Sequence, residues 1–267
     1  MNLSEQIDEG FKKSKKEEKR RAYIGASAIG GACEAAVAFG FRAYPETPIT
    51  PKTQRIFRDG HRIEWDVVKD LQQAGINVLP KDPMSGNQWE FKEMGGHVVG
   101  HADGLIEDSK TTTLLEIKSM NQQKWKDFKS KGVKFSHPHY FSQVQFMMGL
   151  SGFEQTHFVS YNKNTSEYAD ELIDFDEFHY LSLVERAERI MRGDAQKISD
   201  NPDDWRCRFC FKSGACWDGE LPTARSMRTC GNSIALKDGT WSCKNDCKET
   251  CKKWTPYIPK DKQGSST

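Results

Sequence analysis

The most informative stretch of the sequence is Gly100-His101-Ala102-Asp103-Gly104, followed by Glu116-Ile117-Lys118. Leu114, Leu115 and Ile117 predict an apolar strand, and the glycine after Asp103 predicts a turn before it. The pattern places two carboxylates and a lysine at one edge of a sheet. Because buried charge is costly unless it is paired or bound to metal, this set predicts a site for a hard divalent cation.

This pattern alone is weak, because two acids and a lysine at such spacing also form ordinary surface ion pairs. A metal held in this way can activate a water molecule and stabilise the charge that develops on a phosphodiester. Three further features of the sequence favour such a site: an upstream helix, a downstream helix and a group of cysteines.

Asp103, Glu116 and Lys118 resemble the core triad of the PD-(D/E)XK nuclease superfamily. The resemblance implies an α/β, restriction-endonuclease-like core in which helices flank a small mixed central sheet. It also implies that Asp103 and Glu116 bind Mg²⁺ or Mn²⁺, and that the Ile117 carbonyl completes the metal shell. Lys118 would orient the attacking water or help to deprotonate it.

The upstream helix is predicted over residues 57–71, which carry apolar side chains on one face. Glu64 follows Gly60 by four positions, and this spacing is similar to that of RecB-type nucleases, where such a residue joins the metal shell. His61 is a competing candidate whose offset fits less well. A solvated helix residue is the alternative interpretation of Glu64.

The downstream helix is predicted over residues 139–150. Its sequence resembles the Tyr-X-X-Gln-Val-Gln helix of lambda-exonuclease-like and phage RecB-like enzymes, with Tyr140 and Gln143 at the matching positions. The resemblance implies that Gln143 lies near the metal and the DNA backbone. Met147 replaces the tyrosine of the Gln-X3-Tyr form, which favours the lambda-like variant. The helix is also expected to pack through its apolar side chains, and Gln145 cannot share a face with Gln143.

The chain has eight cysteines. Three of them form a Cys-X2-Cys-X5-Cys pattern, and a lone upstream cysteine could supply a fourth ligand; the set is Cys33, Cys207, Cys210 and Cys216. Thiolates suit an iron–sulfur cluster or zinc. The spacing resembles AddB and the CRISPR-associated RecB-like exonucleases, which implies a 4Fe-4S cluster that clips the two ends of the nuclease domain together. Zinc, or no metal, remains an alternative.

A second cysteine group consists of Cys230, Cys243, Cys247 and Cys251. Ligation by cysteine alone predicts a structural zinc site. On one unbroken helix the last three could not share a metal, because Cys243 and Cys251 would lie about 12 Å apart. Ordinary thiols are therefore the alternative interpretation.

Composition limits the function classes only weakly. The 267 residues are 36% hydrophobic, with a net charge of +1, so overall charge does not indicate nucleic-acid binding. Locally, a basic run follows the triad, with Trp125 and Phe128 interleaved; its lysines are Lys124, Lys126, Lys129, Lys131 and Lys134. Such a run can follow DNA phosphates, although a solvated helix face is the alternative.

No apolar run approaches the roughly 20 residues of a membrane-spanning helix. The first residues also lack the apolar region of a signal peptide. We therefore expect a cytoplasmic protein, bacterial or phage-encoded, whose cysteines bind metal rather than form disulfides.

Four regions are predicted. Residues 1–22 form a charged lead-in, 23–220 the nuclease domain with its iron–sulfur clip, 221–255 a zinc appendage and 256–267 a flexible tail.

The resulting hypothesis is a DNA exonuclease of phage-type recombination or DNA end processing, with a single-strand annealing protein as a possible partner. A CRISPR-adaptation nuclease, a DNA-binding module with an inactive core and a zinc-ribbon interaction protein are the alternatives. Polarity, strand preference and oligomeric state are left open.

Overall fold

The computed structural model describes residues 2–13, 21–247 and 252–261. The helices that these residues form are α1 (Leu3–Lys13), α2 (Ala26–Ile29), α3 (Glu34–Phe41), α4 (Pro51–Gln73), α5 (Gln122–Ser136), α6 (Pro138–Ser151), α7 (Glu177–Arg192) and α8 (Ser213–Trp217). The strands are β1 (Ile24–Gly25), β2 (Val78–Leu79), β3 (Trp89–Glu93), β4 (Val98–Ala102), β5 (Gly104–Glu107), β6 (Thr112–Met120), β7 (Gln155–Asn162), β8 (Tyr168–Asp174), β9 (Ser233–Ala235) and β10 (Trp241–Cys243).

The central sheet has five strands in the order β2-β5-β6-β7-β8. β6 and β7 are parallel, and α5 and α6 make the crossover between them; the other neighbouring pairs are antiparallel. A second sheet, β1-β4-β3, contains one parallel and one antiparallel pair. The mixed α/β architecture expected from the sequence is confirmed.

Two apolar layers hold the central sheet. On one face, Leu115 and Ile117 of β6 pack against Ile63, Val67 and Val68 of α4. On the other face, Leu114 and Met120 join the larger core that includes α6 and α7. Because side chains alternate along a strand, Glu116 and Lys118 lie on the α6 side of β6.

Local sequence signals explain the helix boundaries near the site. Thr50 caps α4 by accepting a hydrogen bond from the Thr53 amide at 3.2 Å, and Pro51 occupies the first turn. The helix predicted over 57–71 therefore begins earlier, and Gly60 lies within it. Asp176 caps α7 by accepting a hydrogen bond from the His179 amide at 3.0 Å, and α7 ends at Gly193 with φ of 85°.

Close packing brings β4 against α6. A Cβ atom added to Gly100 would overlap the Sδ atom of Met147, so a larger residue at this point of the strand would require the Met147 side chain to move. The contact fixes β4, and with it Asp103, relative to the helix that carries Gln143.

The C-terminal segment packs onto α3 through a buried cation. The Arg42 guanidinium is fully buried and donates hydrogen bonds to the carbonyls of Cys230 at 2.7 Å and Ser233 at 2.8 Å. It also lies over the rings of Trp241 and Tyr257. Residues 230–247 and 252–257 thus complete the core around α3; the proposed division at residue 220 stays a prediction.

The predicted charged lead-in contains α1, which meets α4 through an ion pair of 2.6 Å between Asp8 and Arg55. The rest of the basic stretch, residues 14–20, lies outside the described residues. Within the ranges that are described, no helix is both long enough and apolar enough to cross a membrane.

Candidate active site

Five residues predicted from the sequence meet where β4 turns into β5 beside the middle of β6. They come from four parts of the chain and are Glu64, Asp103, Glu116, Lys118 and Gln143. The predicted grouping of these side chains is therefore present in the structure.

Asp103 lies in the link between the two sheets and is fixed to β6 twice. Its amide donates to the Leu115 carbonyl at 3.2 Å, and its Oδ2 atom accepts from the Ile117 amide at 2.8 Å. The second bond leaves Oδ1 as the less constrained oxygen of the carboxylate.

Glu116 is buried, with 3% of its surface exposed. Its Oε1 atom accepts a hydrogen bond from Nε2 of Gln143 at 2.7 Å and forms an ion pair with the Lys118 ammonium. Gln143 was expected near the metal and the DNA backbone; here its direct partner is the carboxylate. The neighbouring Gln145 has a separate structural role, bonding to the Asp174 carbonyl and the Asp176 amide.

Glu64, and not His61, is directed into the site. The Glu64 carboxyl shares a hydrogen bond with Asp103. The His61 side chain is 82% exposed, and its Nδ1 atom lies 3.6 Å from Glu64. The Gly60-to-Glu64 spacing therefore identified the inward-facing residue.

Burial sets the protonation of the two central acids. Desolvation raises the pKa of Glu116 to about 7, despite the opposing effect of Lys118. It also raises the pKa of Asp103 to about 7, and Glu64 contributes to that increase. Unless further positive charge is bound, fewer of these acids are ionised than their ordinary pKa values would give.

Lys118 behaves in the opposite way. Burial alone lowers its pKa, but the attraction of Glu116 and Asp103 outweighs burial, so the pKa of the ammonium is raised. Its Nζ atom also lies 5.2 Å from the centre of the Tyr140 ring. A permanently protonated lysine can orient a water molecule or offset phosphate charge more readily than it can accept a proton.

The donor set fits a hard divalent cation in chemistry, since it offers carboxylate oxygens that lack sufficient counter-charge. In the described ranges, however, no three histidine, cysteine, aspartate or glutamate side chains are placed to hold a metal ion. Here the Lys118 ammonium is paired with Glu116, and the Glu64 carboxyl lies beside that of Asp103. Metal binding would require these two contacts to rearrange.

An open cavity of about 570 Å³ gives access to the acids. Besides Glu64, Asp103 and Gln143, it is lined by residues that the sequence did not identify, among them Arg21, Tyr23, Ser27, Trp65, Lys81 and His101. His101 lies in the decisive stretch and pairs across strands with Glu90 at 3.2 Å. Tyr23 and Ser27 flank the two-residue strand β1, which is too short to give a periodic signal.

The basic run forms an exposed face of α5, but its aromatic residues do not belong to that face. Trp125 and Phe128 are 3% and 2% exposed and pack into the core. Lys131 pairs with Asp127 at 3.1 Å, and Lys134 pairs with Asp176 at 3.3 Å. The interleaved aromatics therefore cannot stack on bases, and part of the positive charge is neutralised.

Cys33, Cys207, Cys210 and Cys216 line one small cavity of about 30 Å³, although Cys33 precedes the other three by 174 to 183 residues. Within the described ranges, no three of them are placed to hold a metal ion. Burial raises the pKa of the Cys207, Cys210 and Cys216 thiols, that of Cys216 to about 11. Whether iron–sulfur or zinc, the metal at this cluster stays a prediction.

Cys230, Cys243 and Cys247 also border one small cavity, of about 20 Å³. Cys243 ends β10 and a turn follows, so residues 243–247 do not form the unbroken helix on which the objection to a shared metal was based. Cys247 is held in a disulfide, so the expectation that the cysteines bind metal rather than form disulfides is wrong for this residue, and in that state its sulfur is not a thiolate ligand. Cys251 lies outside the described residues, and the zinc site stays a prediction.

No family model matches the chain, and no curated protein matches it. Solved structures similar to it include an alkaline exonuclease (LHK-Exo) from Laribacter hongkongensis, 18% identical with a TM-score of 0.46, covering 70% of this chain and 90% of that chain. LHK-Exo in complex with dAMP is 18% identical with a TM-score of 0.47 and covers 64% and 87%. A phage related exonuclease from Haemophilus somnus 129PT is 15% identical with a TM-score of 0.43 and covers 61% and 78%.

Proposed function

We propose that the chain is a deoxyribonuclease that removes nucleotides from DNA ends with the help of Mg²⁺ or Mn²⁺. The observation that carries this proposal is the meeting of three carboxylic acids, Glu64, Asp103 and Glu116, of which the first two line an open cavity. Burial raises the pKa of Asp103 and of Glu116 to about 7. Two such acids need a strong positive charge to ionise together, and a divalent cation supplies it.

Glu64, Asp103 and Glu116, with the Ile117 carbonyl, would hold the cation. When bound, it supplies Lewis-acid polarisation of the phosphodiester and a more acidic water molecule. Gln143 and the Ile117 amide hold Glu116 and Asp103 in place through bonds of 2.7 and 2.8 Å. The Lys118 ammonium orients the attacking water and offsets the charge that develops on the phosphate.

DNA is the proposed substrate because exposed lysines extend from the site along α5. Burial lowers the pKa of His139, and the nearby charges of Lys124 and Lys118 add to that shift, so both lysines act on the same imidazole. Lys126 and Lys129 continue this face, and Lys131, Lys134 and Tyr140 complete the proposed DNA contacts. We further propose a role in phage-type recombination or end processing, with a single-strand annealing protein as partner.

The cysteine cluster around Cys33 is proposed to hold a 4Fe-4S cluster that closes the nuclease domain. Support comes from the convergence of Cys33 on three cysteines near the end of that domain. A second, zinc-binding site at Cys230, Cys243, Cys247 and Cys251 is proposed on residue type, and it requires Cys247 as a free thiolate instead of in its disulfide.

The test is digestion of end-labelled linear duplex and single-stranded DNA by protein purified without oxygen, in Mg²⁺, Mn²⁺ or EDTA. Metal-dependent shortening by the wild type, absent from Lys118→Ala, is expected. The labelled end then gives the polarity. If metal-replete wild type leaves DNA intact but binds it in EDTA, the chain is instead a binding module with an inactive core.

A further inference from the structure

A second groove, of about 700 Å³, lies between the cysteine cluster and the candidate active site. Its floor consists of small residues of α2, α3 and their connection: Ala28, Gly31, Ala32, Ala36 and Gly40. On one side stand Phe209 and Phe211, which belong to the loop that carries Cys207 and Cys210. The function proposed above leaves this groove unused.

The phenylalanines of this loop are unusually exposed for apolar side chains. Phe209 is 84% exposed and Phe211 is 45% exposed. Isolated exposed apolar residues are common, but two aromatic rings that border one groove mark a binding surface. The flat ring faces suit a ligand that itself offers flat faces.

The groove is also positively charged on balance. Arg21 lines it and forms no ion pair with any acidic side chain in the described part of the chain. Arg206 is present too, paired with Asp204 at 2.6 Å, and Glu46 is matched by Lys212 at 2.9 Å. Arg21 therefore supplies the uncompensated charge.

This groove meets the active-site cavity. Arg21, Tyr23 and Gly25 line both of them, so the two form one path that crosses β1. Arg228 donates to the backbone carbonyl of Arg21, which ties this crossing point to the C-terminal segment.

We infer that the groove binds single-stranded DNA next to the scissile end, with bases stacked on Phe209 and Phe211 and a phosphate bound by Arg21. Aromatic rings combined with a basic groove are the means by which proteins bind single strands without reading sequence. A duplex would not fit this role, because its base faces are already stacked. The inference rests on the proposed nuclease function and adds the strand form that the site receives.

The experiment measures fluorescence anisotropy of a labelled oligothymidylate and of a blunt DNA hairpin, with full-length protein in EDTA. The variants are Phe209→Ala, Phe211→Ala and Arg21→Gln. Trp205→Ala is the matched control, because Trp205 is 77% exposed on the same loop but does not line the groove. Iron content and melting temperature are compared for all variants, since Phe209 adjoins Cys210.

Each phenylalanine variant is expected to bind the oligothymidylate about tenfold more weakly than wild type, with a smaller change for the hairpin. Arg21→Gln should reduce the slope of log affinity against log salt concentration by the amount that corresponds to about one phosphate contact. Trp205→Ala should bind as wild type does.

Equal affinities of the Phe209, Phe211 and Trp205 variants, at equal metal content, would overturn the inference. So would a change in sedimentation of the phenylalanine variants without any change in DNA affinity, because the surface would then serve protein association. Binding is measured in EDTA, without added Mg²⁺ or Mn²⁺. The result can therefore be interpreted even if the wild type fails to cleave DNA in the separate digestion assay.

Discussion

The side-chain amide of Gln143 donates a 2.7 Å hydrogen bond to Oε1 of Glu116, and this bond is buried. It links the centre of α6 to the centre of β6 and fixes which oxygen of Glu116 points away from the helix. Orientation of a metal ligand by a second residue commonly affects metal affinity strongly.

Gln143→Ala should therefore lower DNA cleavage by about 10- to 100-fold and raise the metal concentration needed for half-maximal activity. The matched control is Gln145→Ala, two residues away on the same helix. Gln145 bonds only to backbone groups near Asp176, so its loss should lower the melting temperature and leave the metal requirement unchanged. Equal metal requirements for the two variants would contradict the role given to Gln143.

Lys118→Ala should reduce cleavage by about 10²- to 10⁴-fold, because no other cation pairs with Glu116 in the described part of the chain. Asp103→Asn should do the same, while its side-chain oxygen can still accept from the Ile117 amide. Circular dichroism should show an unchanged fold for both. The control is Lys110→Ala, a change at an exposed lysine, which should cleave DNA as wild type does. Cleavage that survives both site variants would refute the assignment.

The stability of the metal-free protein should fall as pH rises from about 4 to 7. Glu116 ionises near pH 4 when unfolded and near 7 when folded, so the folded state binds more protons across this window. The loss due to Glu116 is at most about 1.4 kcal/mol per pH unit. Denaturant titrations of wild type and Glu116→Gln measure it as a difference in slope, and saturating Mn²⁺ should remove that difference. A slope of opposite sign would show that Glu116 is not desolvated.

Cys210→Ala should abolish metal binding at the Cys33 cluster and lower the melting temperature, because metal bound by the folded state contributes folding free energy. Metal analysis and calorimetry of protein purified without oxygen measure both effects. The comparison is Cys243→Ala, a change in the second cysteine group. Unchanged metal content and melting temperature in Cys210→Ala would remove the proposed cluster.

Arg42→Ala should destabilise the protein by several kcal/mol, since each buried carbonyl left without its donor costs about 1–3 kcal/mol. Urea unfolding gives the value. Arg42→Lys should recover little, because one ammonium cannot reproduce both bonds together with the contacts to Trp241 and Tyr257. A melting temperature equal to that of wild type would contradict this account.

Much of the site was predictable because its signals are local. The apolar strand around Leu114, Leu115 and Ile117 and the spacing from Gly60 to Glu64 each depend on residues close in sequence. The position of Cys33, Cys207, Cys210 and Cys216 around one cavity agrees with the Cys-X2-Cys-X5-Cys spacing and the resemblance that it carries. The roles of Trp125 and Phe128 were misjudged, because sequence shows that aromatics alternate with lysines but not which face of α5 is buried.

Other parts could not be predicted, because they depend on contacts between distant segments. β1 has two residues and forms only by pairing with β4, so nothing nearby marks Tyr23 or Ser27 as cavity residues. The packing of Cys230, Ser233, Trp241 and Tyr257 around Arg42 likewise has no local pattern. A buried arginine looks in sequence like any surface arginine.

The burial of Arg42 also fixes an order of events during synthesis. Its acceptor at Cys230 is 188 residues further along the chain, so α3 emerges from the ribosome long before the carbonyl groups that accept from this guanidinium exist. Since translation is directional, this region can close only after residue 230 has been made. Until then, a partly made chain carries the acids of β6 while the Arg42 guanidinium lacks its buried partners.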